Sequence, residues 1–289
     1  MSNTCRVIVA YHKPDVYPSN DVYIPIHVGK ALSKQDMGIQ ADNEGLNISE
    51  KNPYYCELTA IYWAWKNLKD VDVIGLCHYR RYFDFHKQCR PFFPMTTFSI
   101  AEFPTLNLSI DNCVLQQVKA GKVVVAKSEM MEQTLKQNYC EWHVGDDFRI
   151  LESLIMQTQK SDIQTAFRDV FEHGNKLHPY NMFLMRWEDF DAYCSWIFPL
   201  LEEIEKKIDI SAYSTFQKRI YGFMAERLFN VWLVAMHKVK IEKPIIFVND
   251  EDTLNRRPLG PRKLLRYLRR ILYCRMANCY YQRALKLWK

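Results

Sequence analysis

The sequence predicts an α/β fold in which helices cover both faces of a largely parallel β-sheet. One observation is a set of short, continuous apolar runs, such as RVIVA at Arg6–Ala10 and KVVVA at Lys122–Ala126. Runs of this kind are typical of strands that are buried on both faces. A second observation is that these runs alternate with longer segments whose apolar residues recur at helical spacing, the order expected of an α/β sheet.

Six short strands follow from these runs and from the turn residues that bound them. The predicted strands are Arg6–Ala10, Asp21–His27, Val71–Cys77, Lys122–Ala126, Met182–Met185 and Ile245–Val248. The second of them is expected at an edge of the sheet. Two connecting segments are predicted to be irregular, because Leu32–Ser49 is polar and rich in turn residues and 86–118 contains prolines.

Six helices are predicted between the strands. They span Pro53–Leu68, Met130–Gln137, Asp147–Gln159, Ile163–Glu172, Trp187–Ile208 and Phe216–Met236. The first is expected to begin with Asn52 as its N-cap and Pro53 at its first position. The last is apolar almost all round, so we expect it in the centre of the fold.

Composition places the chain among large, ordered globular proteins. A chain of 289 residues with 14% aromatic and 25% charged residues can bury a large core. Its nine cysteines include no CxxC pair, and an odd number argues against a closed disulfide framework. Free thiols and the lack of a signal-peptide pattern predict a cytoplasmic protein. No run approaches the roughly 20 apolar residues of a spanning helix.

Charge is divided unequally between the body of the chain and its C-terminal tail. Residues 253–289 contain eleven Lys or Arg and no Asp or Glu, whereas residues 1–252 contain 28 basic and 33 acidic side chains. We therefore predict a globular α/β domain at 1–252 and a separate basic tail at 253–289. A breaker at Arg256–Pro261, with two prolines and a glycine, is expected to separate the domain from a tail helix.

The tail is predicted to form a basic amphipathic helix. Its apolar positions are Leu264, Leu265, Leu268, Ile271, Leu272 and Met276, its arginines on the opposite face are Arg262, Arg266, Arg269 and Arg270, and its aromatics are Tyr280, Tyr281 and Trp288. This composition is typical of a helix that lies on an anionic membrane surface. Two alternatives stay open: packing of the apolar face on the body, and nucleic-acid binding, which we do not expect.

A polar cluster follows the strand Val71–Cys77 directly. Its members are His78, Tyr79, Arg80 and Arg81. Ligands of open α/β sheets bind beyond the carboxyl ends of such strands, and two adjacent arginines offer forked donors that match phosphate oxygens. The cluster therefore predicts a site for a phosphorylated ligand. The alternative is a solvated strand end whose arginines pair with local carboxylates.

Glu226 is a candidate for acid–base chemistry. It lies three residues from Phe223 and from Phe229 on a predicted helix, so both rings are its neighbours. Partial desolvation between aromatic rings raises the proton affinity of a carboxylate, which suits a general base. The alternative is a structural carboxylate paired with Arg227 or Arg219.

Asp146 and Asp147 form a second acidic position, just before another predicted helix. Paired acids at a helix start can hold a metal ion or a sugar hydroxyl, although an N-cap is the more common use of such a residue. The chain has no GxGxxG turn, no GxxxxGK[ST] loop, no GxSxG elbow and no HExxH helix. With only nine glycines, we expect phosphate to contact side chains more than a glycine-rich backbone.

Six blocks of sequence, in order along the chain, carry a family resemblance. They are YHKP (Tyr11–Pro14), VYIPIHVGKALS (Val22–Ser33), DNEGLNISEKNPYYCELTAIYWAWKN (Asp42–Asn67), HYRRYF (His78–Phe83), HPYNMFLMRWEDFDAYCSWIF (His178–Phe198) and YGFMAERLFNVWL (Tyr221–Leu233). Together they resemble a bacterial family of capsular and exopolysaccharide glycosyltransferases, long catalogued only as a domain of unknown function. HYRRYF is its signature, and the resemblance leaves out the basic tail.

The resemblance implies a glycosyltransferase of the A-type fold, a nucleotide-binding α/β sheet flanked by helices. It implies transfer of a hexose, such as galactofuranose, from a nucleotide-sugar donor to a lipid-linked oligosaccharide in capsular polysaccharide, exopolysaccharide or O-antigen biosynthesis. Because such an acceptor lies at the membrane, the implied location is cytoplasmic, peripheral on the inner face of the bacterial cell membrane. The basic tail suits that location.

Roles for individual residues follow from the resemblance and from the strand-end positions. The expected donor-binding residues are His12, Lys13, His78, Tyr79, Arg80 and Arg81, with Glu57 and Asn181 lining the sugar pocket. In an inverting reaction, Glu226 or the Asp146-Asp147 pair, with Asp147 the preferred member, would deprotonate the acceptor hydroxyl.

A metal site is not evident from the sequence. The A-type fold commonly carries an Asp-x-Asp metal motif at the strand end that His78–Arg81 occupies here, and this chain has only Asp84 nearby. Either Mg²⁺ or Mn²⁺ held by residues elsewhere, or Arg80 and Arg81 themselves, would neutralise the departing diphosphate. Two other functions stay open: a different phosphoryl-ligand transferase, and a non-enzymatic module that binds polyanions through the tail.

Overall fold

A mixed β-sheet forms the centre of the fold. The computed structural model describes residues 4–89, 95–250 and 261–288. Its strands are β1 (Cys5–Tyr11), β2 (Tyr23–His27), β3 (Gln40–Ala41), β4 (Val73–His78), β5 (Arg81–Phe83), β6 (Met95–Ser99), β7 (Val123–Ala126), β8 (Glu129–Met130), β9 (Lys176–Leu177), β10 (Phe183–Arg186), β11 (Lys240–Lys243) and β12 (Ile245–Asn249). In these ranges ten strands share one sheet, and β8 and β9 form a separate ribbon.

The sheet is parallel along most of its length. Its main path runs β11-β7-β10-β4-β1-β2-β3. Parallel pairs join β1 to β2 and β4, β2 to β3, and β7 to β11. β10 is antiparallel to both of its neighbours. A side branch leaves β4 through β5, which pairs with β12, and β12 pairs in parallel with β6.

Helices cover both faces of the sheet. In the described ranges they are α1 (Asn52–Tyr55), α2 (Leu58–Asn67), α3 (Asn112–Lys119), α4 (Leu135–Trp142), α5 (Gly145–Thr158), α6 (Ser161–Phe171), α7 (Trp187–Glu205), α8 (Ile220–Ala235) and α9 (Pro261–Trp288). Among the residues described, no helix combines the length and the apolar character needed to cross a bilayer.

Apolar side chains fill a layer on each side of the sheet. On β1, Ile8 and Ala10 belong to the layer that contains α2, α7 and α8, whereas Val7 and Val9 belong to the layer that contains α3. This alternation is expected of a strand that is covered on both faces. Burial of each such aliphatic side chain contributes about 1.5–3 kcal/mol. The α/β fold class predicted from the sequence is confirmed.

The first predicted helix is interrupted where the sequence shows no breaker. The structure has α1 and α2 instead of one helix over Pro53–Leu68, and Cys56 between them has a φ of 52°. Asn52 is the first residue of α1 rather than its N-cap, and its side-chain amide donates to the Cys56 carbonyl at 2.8 Å. The same carbonyl also accepts the Thr59 N–H at 3.3 Å and the Thr59 hydroxyl at 3.2 Å, so the polar groups at the break are satisfied. The break places Glu57 between the two helices.

Several short elements lie where the sequence predicted loops or edges. The two-residue strand β3 pairs with β2. The outer strand on this side of the sheet is therefore β3, whereas β2 was predicted there. The irregular segment 86–118 contains β6 and α3. The helix expected from Met130 begins only at Leu135, because Thr134 caps it in a capping box with Gln137 and Met130 belongs to β8. These short strands depend on a hydrogen-bonding neighbour more than on an apolar run.

Candidate active site

The ends of the strands bring separate parts of the chain to one edge of the sheet. β1 ends at Tyr11 and is followed by His12, and β4 ends at His78. Because β10 runs the opposite way, the residues just before it, Tyr180 and Asn181, lie at the same edge. Ligands of open α/β sheets bind at such an edge. We call the residues gathered here the edge site.

The HYRR segment forms a tight turn in the structure. His78 of β4 pairs with Arg81 of β5, which leaves Tyr79 and Arg80 as the two residues of the turn. Arg80 therefore lies in the turn and Arg81 in β5, and their side chains contact different partners.

Arg80 is engaged by carboxylates. Its Nε donates to Asp15 at 2.9 Å, and its terminal nitrogens donate to both carboxylate oxygens of Asp250 at 3.1 and 3.2 Å. Arg80 is therefore paired with carboxylates, which is the alternative to phosphate binding that the sequence left open. Charge-assisted, forked bonds of this kind fix the position of the turn.

Arg81 is placed to meet a ligand. Its guanidinium carbon lies 4.9 Å from the ring centroid of Tyr180 and 5.3 Å from that of Phe247, both within cation–π range. Its Nε is buried and has no hydrogen-bond partner among the described residues. A buried donor without a partner costs about 1–3 kcal/mol, and an anionic oxygen would remove that cost. Of the two arginines, Arg81 is the better candidate for a phosphate contact.

The dipeptide Tyr180-Asn181 has a strained backbone. Its φ angles are 74° and 53°, a region that costs of order 1–3 kcal/mol for a residue other than glycine. The Tyr180 N–H donates to Glu226 Oε1 at 2.6 Å, and the Tyr180 carbonyl oxygen bonds His78 Nε2 at 2.7 Å. Asn181 Nδ2 donates to Glu57 Oε1 at 2.6 Å. Strain that is held by several partners is typical of functional sites.

Asn181 also holds an unsatisfied acceptor. The residue is 2% exposed, and its Oδ1 has no hydrogen-bond partner among the described residues. Its Nδ2 is already used by Glu57, and by the Gly222 carbonyl at 3.4 Å. Buried acceptors are normally paired, so Asn181 Oδ1 is a candidate contact for a hydroxyl of a bound ligand.

Both interpretations of Glu226 have a physical basis in the structure. Burial raises the pKa of Glu226, and the guanidinium of Arg227, 3.7 Å away, opposes the rise. The Glu226 side chain is 21% exposed, so it can meet a ligand. The carboxylate therefore combines the raised proton affinity of a general base with the ion pair of a structural residue.

The histidines of the edge site are neutral. Burial lowers the pKa of His78, while the Glu57 carboxylate opposes the shift. Nε2 of His78 carries the proton because the Tyr180 carbonyl can only accept. Burial also lowers the pKa of His12, and the nearby charges of Lys13 and Arg219 lower it further. Neither imidazole then repels a neighbouring arginine.

Arg219 is the residue of this site that the sequence did not assign to the donor. It is exposed in the turn before α8, and its Nε donates to Cys56 Sγ at 3.2 Å. Its charge contributes to lowering the pKa of both His12 and His78. Arg219, which directly precedes α8, and Arg81 are therefore both close enough to His78 to lower its pKa. The sequence named Arg219 only as a partner for Glu226, because no strand end or motif marks it.

His12, Lys13 and Tyr79 stand at the mouth of the site. His12 and Lys13 are exposed. The His12 ring meets the Tyr79 ring edge-on at 4.9 Å, and the Lys13 ammonium lies 5.8 Å from the same ring. The predicted donor-binding residues from the first strand and the HYRR turn are thus brought together.

Asp146 and Asp147 have their described contacts elsewhere. Asp146 is exposed and pairs with Arg149 one turn along α5. Asp147 is buried in the first turn of α5 and accepts a hydrogen bond from the Tyr213 hydroxyl at 2.8 Å. Burial raises the pKa of Asp147. No contact described for either residue joins it to the HYRR turn.

The part of the chain that the structure describes contains no cluster of metal-ligating side chains. Among the described residues, no three His, Cys, Asp or Glu side chains are grouped to hold a metal ion. The Asp84 carboxylate accepts the backbone N–H groups of His86 and Lys87 and pairs with the Lys87 ammonium at 3.0 Å. Asp84 therefore stabilises a turn.

Comparisons with known proteins identify the family of the chain and a solved structure of similar fold. The chain belongs to the family described as Domain of unknown function (DUF4422), whose model matches residues 6–238. A solved structure described as the WbbM bifunctional glycosyltransferase in its apo form is similar, with a TM-score of 0.77 and 28% identity. The similarity covers 86% of this chain and 46% of that one, so the chain spans about half the length of that glycosyltransferase. No curated protein gives a significant match.

Proposed function

We propose that this member of the DUF4422 family is a glycosyltransferase that moves a sugar from a nucleotide-sugar donor to a glycan acceptor. The observation that carries the proposal is the edge site. It joins an Arg81 nitrogen and an Asn181 oxygen, both buried and without a hydrogen-bond partner among the described residues, to a carboxylate of raised pKa at the ligand-binding edge of a glycosyltransferase fold. Each of these groups matches one part of a nucleotide-sugar reaction.

The donor diphosphate would bind to the cations of the edge site. Arg81, from the HYRR turn, and Arg219, from the turn before α8, are its principal contacts, and Lys13 assists at the mouth. Negative charge builds on the departing diphosphate, so fixed guanidinium groups stabilise the transition state more than the ground state. Arg80 acts indirectly, because its bonds to Asp15 and Asp250 hold the turn that presents Arg81.

Glu226 would act as the general base of an inverting transfer. It takes the proton from an acceptor hydroxyl as that oxygen forms a bond to the anomeric carbon of the donor sugar. The bond from the same carbon to the diphosphate oxygen breaks, and the diphosphate leaves with the electron pair. Asn181 Oδ1 accepts a hydrogen bond from a hydroxyl of the donor sugar. Glu57 orients Asn181 by accepting a hydrogen bond from its Nδ2.

The finer substrate assignment rests on the family resemblance of the sequence. We propose a hexose donor, such as UDP-galactofuranose, and a lipid-linked oligosaccharide acceptor in capsular polysaccharide, exopolysaccharide or O-antigen synthesis. Such an acceptor is made at the inner face of a bacterial cell membrane, and the enzyme would be a peripheral protein there.

The exposed face of α9 supports that location. One face of α9 packs on the body, since Cys274 is buried and its carbonyl accepts the Asn175 side-chain amide at 3.1 Å. The opposite face exposes apolar residues at helical spacing, namely Leu265, Leu268, Leu272 and Met276. Arg269 is exposed beside them and not on the opposite face, where the sequence predicted it. The breaker at 256–260 and the side chains of Arg262, Leu264, Arg266, Arg270 and Trp288 lie outside the described residues.

A thermal-shift screen tests the proposed function. Full-length protein is heated with UDP-galactofuranose, UDP-galactopyranose, UDP-glucose and UDP, and with heparin as a polyanion control. A true donor at 100 times its Kd stabilises the fold by about 2.7 kcal/mol. Stabilisation by a nucleotide sugar that persists in 0.2 M salt supports the proposal. Stabilisation by heparin alone, lost in salt, would indicate a polyanion-binding module instead.

A further inference from the structure

Three aromatic rings form a stack that begins at the protein surface. Phe216 is 52% exposed. Its ring lies 6.0 Å from the His143 ring at an interplanar angle of 18°, and 5.1 Å from the Phe223 ring. His143 in turn stacks on Phe223 at 4.3 Å and 27°. We call Phe216, His143 and Phe223 the aromatic stack.

Two loops build the stack from separate parts of the chain. His143 lies between α4 and α5, and Phe216 precedes α8. Gln217 ties the loops together, because its Oε1 lies 3.2 Å from His143 Nδ1 and its Nε2 donates to the Trp142 carbonyl at 2.9 Å. The stack is therefore a fixed surface. The Trp142 side chain, next to it in sequence, is 63% exposed.

The stack is continuous with the edge site. Phe223 lies 5.5 Å from the Arg219 guanidinium carbon. It is also three residues before Glu226 on α8, so the two side chains share one face of that helix. A molecule lying on the stack at Phe223 would therefore have Arg219 and Glu226 beside it.

The stack is apolar and uncharged, and its ring planes are inclined to one another by 18°, 27° and 45°. Burial lowers the pKa of His143 to about 4, and the nearby Arg227 charge lowers it further. The imidazole is therefore neutral at pH 7. Polar groups stand at the rim, where Gln217 and Arg219 carry side-chain donors. An apolar aromatic surface with polar groups at its rim suits a sugar ring, which has an apolar C–H face and hydroxyls around its edge.

We propose that the aromatic stack is the acceptor subsite of the enzyme, on which the terminal sugar ring of the glycan acceptor lies with one hydroxyl directed to Glu226. This inference rests on the proposed function and goes beyond it, because it assigns the acceptor to residues that no donor contact requires. A donor nucleobase would also stack on aromatic rings, so the experiment must separate binding of the acceptor from binding of the nucleotide.

Binding of model acceptors to full-length protein tests the assignment. Saturation-transfer NMR is recorded with octyl β-D-galactopyranoside and octyl β-D-glucopyranoside, each with and without UDP, for the wild type and for Phe216→Ala and Phe216→Tyr. Leu46→Ala, at a position 65% exposed, is the control for loss of a surface apolar side chain. We expect Phe216→Ala to weaken sugar binding about tenfold with UDP binding unchanged, and Phe216→Tyr to restore it.

The outcomes separate this inference from the proposed function. Equal sugar binding in the wild type and Phe216→Ala would overturn the acceptor subsite, as would loss of UDP binding instead of sugar binding. A wild type that binds UDP but neither glycoside also overturns it. Sugar binding that depends on Phe216 in a protein that does not bind UDP would support the subsite while contradicting the donor site. Circular dichroism melting of Phe216→Ala checks that the fold is retained.

Discussion

Arg80 and Arg81 are neighbours in one sequence motif and have different partners in the structure. Sequence spacing treats Arg80 and Arg81 as a pair of phosphate donors. In the structure the turn between β4 and β5 separates them, so that Arg80 bonds two carboxylates and Arg81 contacts two rings. A sequence shows which donors are present, but the partners of each donor depend on residues such as Asp250 that are far away along the chain.

The first prediction separates these roles. Arg81→Ala is expected to weaken UDP binding by about 1–3 kcal/mol, the scale of charge-assisted hydrogen bonds, with little change in Tm. Arg80→Ala is the matched control. It is expected to lower Tm, because the nearly buried Asp15 carboxylate loses its partner. Calorimetric titration with UDP and thermal melting measure both effects. Equal UDP affinity in Arg81→Ala and wild type would contradict the donor role.

The second prediction concerns Glu226. Glu226→Gln is expected to reduce kcat by ~10²-fold or more, because the amide cannot take a proton. Donor binding should persist, because the amide oxygen can still accept the Tyr180 N–H. Asp147→Asn is the matched control, since Asp147 is also a buried carboxylate with a raised pKa, and its turnover should stay near that of the wild type. Near-normal turnover of Glu226→Gln, with a large loss of stability, would identify Glu226 as structural.

The pH dependence of turnover gives a third prediction. A general base works only when deprotonated, and burial raises the pKa of Glu226 above its ordinary value. The kcat of the wild type should therefore rise with pH through a pKa higher than that of an exposed glutamate. This acidic limb should disappear in Glu226→Gln. An identical limb in both proteins would assign the titration to another group.

At the scale of single elements, sequence pattern located the buried strands well and the irregular joins poorly. Apolar runs placed β1, β4, β7, β10 and β12 because burial on both faces leaves a local signature. The break between α1 and α2 leaves no local signature in the sequence, because the positive φ of Cys56 depends on contacts with residues far away along the chain. The same holds for the Tyr180-Asn181 strain, which depends on Glu226 and His78.

A fourth prediction tests the packing of that helix break against α8. A Cβ added at Gly222 would lie 3.0 Å from Cys56 Sγ and 3.2 Å from its Cβ. Overpacking of this kind costs about 1–3 kcal/mol, more than the roughly 0.5–1 kcal/mol that alanine gains over glycine in a helix. Gly222→Ala should therefore lower Tm and, by displacing Glu57, reduce kcat.

Gly145→Ala is the matched control for this effect. Gly145 is also helical, and an added Cβ there would be no closer than 3.8 Å to its neighbours. It should leave Tm unchanged or slightly raised. A Gly222→Ala variant as stable and active as Gly145→Ala would show that the contact between Cys56 and α8 is not tight.

At the scale of the whole molecule, the sequence placed the site better than it placed the residues within it. Strand ends at His12 and His78 indicated one sheet edge, and the structure brings both residues to that edge because parallel strands share it by topology. Glu57 and Asn181, named through the family resemblance, are brought together by a hydrogen bond. Arg219 was not assigned to the donor, because its position near His12 and His78 depends on contacts such as the one with Cys56, which is far away along the chain.

The final prediction concerns α9 and its relation to the rest of the molecule. Leu268 and Leu272 are exposed on the face opposite the buried Cys274, so replacing both with Ser should leave the fold and Tm unchanged. The double variant should no longer sediment with vesicles of anionic lipid, whereas the wild type should bind them. Salt should release the wild type only in part, because burial of the leucines is not screened as the arginine charges are.

Transfer to different acceptors completes this test. The double variant should be slower than the wild type on a lipid-linked acceptor in vesicles and equal to it on a soluble octyl glycoside, because its edge site is unchanged. Arg269→Glu is a second probe of the same face, and it should lower vesicle binding in low salt, since each basic residue near an anionic surface contributes about 1 kcal/mol. Unfolding of the Leu268 and Leu272 double variant would instead mean that this face of α9 packs on the body, and undiminished vesicle binding would place the membrane contact elsewhere on the molecule.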